Sequence, residues 1–144
     1  MFGNDRGQIR RYYLDAWQRH CRGEPLDPLG AQIADVIAAH PEYHALFAAG
    51  GDALERDFGP EDGTGNPFLH MGMHLAIREQ VATDRPPGLA QAHRRLSLRL
   101  GGAHEAEHAL MECLGTALWE AQRSGQPPDE AAYLECARRR ATDV

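Results

Sequence analysis

Residues 66–88 read N-P-F-L-H-M-G-M-H-L-A-I-R-E-Q-V-A-T-D-R-P-P-G, from Asn66 to Gly88, and this stretch decides the fold class. Asn66 is a side-chain acceptor placed before Pro67, whose missing N–H costs nothing at a first helical position, so a helix starts there. The run Asp84-Arg-Pro-Pro-Gly88 stops it. Between them, at about 100° per residue, His70, His74, Ile77 and Val81 form one stripe flanked by Leu69 and Met73. Phe68, Met71 and Leu75 make much of the opposite side apolar too. A helix that is apolar nearly all round is central, so the spacing predicts a core helix over 67–82 with both histidines buried.

The same punctuation recurs outward from that helix. Gly23 to Pro28 separates two helical runs, Pro41 opens another, Gly101 and Gly102 interrupt, and S-G-Q-P-P-D over 124–129 breaks the last. The predicted helices are 5–22, 26–39, 41–49, 67–82, 88–100, 103–124 and 128–141. No run of alternating β-branched residues bounded by hairpin turns suggests a strand. The fold expected is all-α, a single-domain up-and-down helical bundle of about five to seven helices spanning 1–144. The long irregular stretch is Gly50 to Gly65, rich in glycine and acid, and loops of that length are usually functional or mobile.

Composition narrows the function. The 144 residues carry 15 basic side chains, all arginine, against 21 acidic ones, a formal charge of −6. The arginines occur in twos and threes, as at Arg10 and Arg11, Arg94 and Arg95, and Arg138 to Arg140, without the continuous basic face that phosphate neutralisation needs. Nucleic acid is therefore not an expected partner. No apolar run approaches the ~20 residues that cross a bilayer, and the N-terminus lacks the apolar stretch of a secretory signal, so no membrane association is expected. Cys21, Cys113 and Cys136 are an odd number at wide spacings with no C-x-x-C pair, which points to a reducing compartment and a cytoplasmic protein.

Histidine recurs four residues apart three times: His40 and His44, His70 and His74, His104 and His108. On a helix this spacing sets two imidazoles one turn apart on one face, where both can bind a single ion. The helix from Ala103 is expected to bury Glu107, Leu110, Met111, Leu114, Leu118 and Ala121, with His104 and His108 on the shoulder. A carboxylate at Glu107, on a core face, wants a cation. Gly115, two turns on, would permit close approach of a neighbouring helix. If the helices at 67–82, 88–100 and 103–124 run up, down and up, the first and third are parallel, and the two histidine pairs sit at one level. Helix N-termini disfavour imidazolium and keep histidine in the neutral, ligating form.

The candidate metal ligands are therefore His70, His74, His104 and His108, with Glu107 and His44 as further donors. A histidine-rich set with one carboxylate suits a transition metal ion, iron, zinc or copper, better than magnesium or calcium. The site would be mono- or dinuclear, of unknown reaction. The alternative is a non-catalytic structural or protein-interaction bundle, in which these histidines and Glu107 form a buried hydrogen-bond network. Two sequence patterns are weaker. His104, Glu107 and His108 fit H-x-x-E-H, the inverted zinc-peptidase pattern, but a chain this short has little room for the downstream ligand and cleft. Glu105 and His108 have the E-x-x-H spacing of di-iron bundles without a second such element. His93 reads as a hydrogen-bonded core residue and His20 as surface. The apolar outer side of the helix after Pro67 would also serve as a seam in a homo-oligomer.

His40-Pro-Glu-Tyr-His44, Asn66 to His74 running on to Arg78-Glu-Gln80, Asp84-Arg-Pro-Pro-Gly88 and Ala117-Leu-Trp-Glu-Ala-Gln122 together resemble the bacterial family catalogued as domain of unknown function 1841. The resemblance covers nearly the whole chain. It implies a small standalone bacterial protein of helical fold, and it brings no catalytic assignments.

Overall fold

The computed structural model describes residues 5–51 and 66–142. Every regular element among them is helical: α1 (Asp5–Cys21), α2 (Pro28–Ala38), a 3-10 turn (Pro41–Tyr43), α3 (His44–Ala48), α4 (Pro67–Thr83), α5 (Leu89–Leu100), α6 (Ala103–Ser124) and α7 (Glu130–Thr142). The fold is all-α, as the sequence indicates. Most of the expected Gly50 to Gly65 loop lies outside the described residues. No helix among those described is long and apolar enough to cross a membrane.

The chain contacts group into two compact units, Met1–Leu75 and Ala76–Val144, whose boundary falls inside α4. In the first unit α1 packs on α2, and Tyr13, Leu14, Ile33, Val36 and Ile37 meet Phe47, Phe68 and Met71 in one core. Phe68 is its aromatic hub. Tyr13 and Phe47 stand edge-on to it at centroid distances of 5.6 and 5.7 Å, and the buried Arg10 guanidinium lies 4.8 Å from its centroid. Asp27 caps α2 by accepting from the Gly30 N–H at 2.6 Å, and its other oxygen accepts from the Tyr12 hydroxyl at 2.6 Å. Those two bonds, the tyrosine's first, hold the Asp27 carboxyl below its ordinary pKa.

The second unit packs α5, α6 and α7 against one another around Leu89, Leu96, Leu110 and Ala137, with Ile77 of α4 equally buried. Asp84 accepts from Gly88 N–H and Ala90 N–H, satisfying the start of α5. Gly88 has φ +103°, a backbone conformation that calls for glycine. The Tyr133 hydroxyl donates to Gln80 Oε1 at 2.6 Å, tying α7 to α4.

Three sequence expectations are corrected. The buried stripe of α6 is turned toward Ala106, Ala109, Cys113 and Ala117, while Leu118 is exposed. Small side chains win these positions because they let α5 and α7 approach closely. Gly115 is not a close-approach site, since no atom among the described residues lies within 4 Å of where its Cβ would be. Cys113 and Cys136 are joined in a disulfide with their Cα atoms 5.8 Å apart, and Cys21 is an exposed thiol. Sequence spacing conceals that pairing because the α6–α7 hairpin brings together positions 23 residues apart. Cysteine spacing thus gives no reason to favour a reducing compartment.

Candidate metal centre

Asn66 Oδ1 accepts from the N–H groups of Phe68 and Leu69 at 2.9 and 3.3 Å, which fixes the start of α4 and the phase of its two histidines. His74 is fully buried and His70 partly so. Their Nε2 atoms are 3.2 Å apart and their ring centroids 4.9 Å. Two bonds of about 2.0–2.1 Å at a tetrahedral angle span roughly 3.3 Å, so this is close to the bite of one four-coordinate ion.

The third imidazole of the cluster is His40, which sequence reasoning paired with His44. Its ring centroid lies 4.7 Å from that of His74 and 5.1 Å from that of His70, and it too is buried. Ring nitrogens of His40 and His74 fall within 4.8 Å of each other. His40 Nδ1 donates to the Val36 carbonyl at 2.7 Å, which puts the proton on Nδ1 and the lone pair on Nε2. A backbone carbonyl on one ring nitrogen is the usual orienting partner of a ligating histidine. Tyr43 stacks on the outer face of His40 at 5.4 Å.

His44 goes elsewhere. His40 has φ −124° and ψ 71°, outside the helical region, and the following residues form a 3-10 turn. The rings therefore do not share a helix face. His44 Nε2 donates to the Ile37 carbonyl at 2.9 Å and its ring packs on Trp17 at 4.8 Å. The signal was in the sequence: the ring of Pro41 keeps the residue before it out of the α region.

In the second unit His104 and His108 face each other, with ring centroids 4.4 Å apart and ring nitrogens within 4.8 Å. His104 is partly buried and His108 exposed. Glu107 is buried, and Arg78 Nε donates to both of its carboxylate oxygens at 3.1 and 3.3 Å. The cation that a core carboxylate requires is supplied there by an arginine. His93 is partly buried; burial lowers its pKa, against the opposing pull of Glu107 and of its hydrogen bond at the Ala103 backbone. His20 is exposed and stacks on Trp17.

Helical fold and histidine cluster together describe a small all-α protein with closely grouped imidazoles. The chain belongs to the family described as Domain of unknown function (DUF1841), which matches residues 5–139. No curated protein and no solved structure matches it.

Proposed function

We propose that this is a metal-binding protein whose ion, iron, zinc or copper, is held by His40, His70 and His74 of the first unit. The observation that carries this reading is the grouping of three imidazoles in the first unit, two of them buried, with two Nε2 atoms 3.2 Å apart. Nitrogen donors without a thiolate suit the borderline divalent metals.

Glu107 is engaged by Arg78 and is placed as that arginine's partner, not as a ligand.

A second reading is the structural one, favoured by the bonds His40 and Glu107 already make to Val36 and Arg78. Elemental analysis separates the two. Untagged protein reconstituted with iron(II), zinc or copper is expected to keep about one ion per chain. His70→Ala with His74→Ala should abolish this, whereas His104→Ala with His108→Ala should retain it. Substoichiometric metal in the wild type would leave the hydrogen-bonded network as the role of these residues.

A further inference from the structure

The second unit contains a cleft of about 550 Å³ under the α6–α7 turn, independent of the histidines, with Thr116, Glu120, Ser124, Asp129 and Tyr133 among its lining residues. Both half-cystines of Cys113 and Cys136 contribute to its wall. They are unequal: Cys113, in the middle of α6, is 2% exposed, whereas Cys136 is partly open. A thiolate attacks along the accessible sulfur and expels the other, so accessibility sets the order of events. The carboxylates of Glu120 and Asp129 on the lining make the approach negative, with one arginine, Arg123, bound to Glu120.

We propose that the Cys113–Cys136 disulfide is a thiol-exchange site, entered through this cleft by a small cationic or neutral thiol. The incoming thiolate bonds to Cys136 Sγ and the S–S bond breaks, with Cys113 leaving as thiolate and taking up a proton. A second thiol attacks the small-molecule sulfur of the mixed disulfide and releases Cys136. In sum, two thiols become one disulfide, and the protein gains two electrons and two protons. The reduced unit then holds α7 by packing, by the Tyr133–Gln80 bond and by Arg140, which pairs with Glu112 and accepts at its carbonyl from Arg99.

The test uses the full chain with Cys21→Ser, which removes the exposed thiol. Under native conditions the protein is incubated with cysteamine, 2-mercaptoethanol or glutathione at matched thiolate concentration, quenched with iodoacetamide and mapped by mass spectrometry. The expected first product carries one adduct, at Cys136, with alkylated Cys113. Cysteamine should react about tenfold faster than glutathione, the low end of electrostatic steering, and that ratio should shrink in high salt. Cys113→Ser in the same background, which has no disulfide to exchange, should take up no adduct at Cys136 from any of the three reduced thiols. Four results would overturn the proposal: free thiols at both positions before any reductant, a first adduct on Cys113, a disulfide that is reduced only in urea, or equal rates for the three thiols.

Discussion

Removing Arg78 should destabilise the second unit far more than removal of an ordinary surface arginine. Its Nε contacts both oxygens of a Glu107 side chain that is 7% exposed, while Arg78 itself is 31% exposed. Arg78→Met keeps the aliphatic stem and strips the charge, leaving a carboxylate buried without its cation. Breaking such a pair costs about 3–5 kcal/mol. Water can reach the guanidinium side, so the low end, about 3 kcal/mol, is expected here. At a urea dependence of about 1–3 kcal/mol/M this lowers the unfolding midpoint by roughly 1–3 M, an easy measurement by circular dichroism at 222 nm. Arg78→Met combined with Glu107→Leu should recover most of the loss, because an apolar pair of similar size replaces a buried ion pair at little cost. A single variant that loses less than about 1 kcal/mol would mean the pair behaves as a solvated surface contact. A double variant no better than the single would refute the idea that the stranded carboxylate is the source of the loss.

Burial pushes the Tyr133 phenol up to about 12. The folded state therefore keeps a proton the unfolded state gives up near pH 10, and this contribution to stability is present below pH 10 and lost between about 10 and 12; Tyr133→Phe should flatten the decline in alkaline urea melts. Asp27→Ala should lower the urea midpoint as a lost helix cap, and its effect should fade in acid as the wild-type carboxyl protonates. Leu110→Ala, at a fully buried position, should cost about 2–5 kcal/mol. Leu98→Ala, at an 82% exposed one, should stay within about 0.5 kcal/mol. Similar losses for the two leucines would show that the core of the second unit is misplaced.

The helices were legible because their boundaries are chemical. Asn66 with Pro67, the Asp84 to Gly88 stop and the glycines at 101 and 125 each fix a local backbone state whatever surrounds them. Buried faces were less legible on α6, where alanines and a cysteine compete with larger residues; choosing between two half-apolar sides needs the neighbouring helices. The buried positions of His74 and Glu107 followed from their placement on apolar stripes. Spacing failed at His40 and His44, because counting four residues assumes a helix that Pro41 prevents. Glu107 was read correctly as needing a cation, but Arg78, 29 positions earlier, offered no local pattern that tied it to that carboxylate. Cys113 and Cys136 were hidden for the same reason.

The hairpin of α6 and α7 has a consequence for how the protein survives cutting. Residues 122–130, which include the whole connection and Arg123 at the end of α6, are exposed, and the chain contains no lysine. A tryptic nick after Arg123 would divide the backbone between the two half-cystines, yet the pieces would stay covalently attached. Such a clipped molecule would run as one band on a non-reducing gel and as two after reduction, and it would retain its C-terminal helix until a reductant arrived.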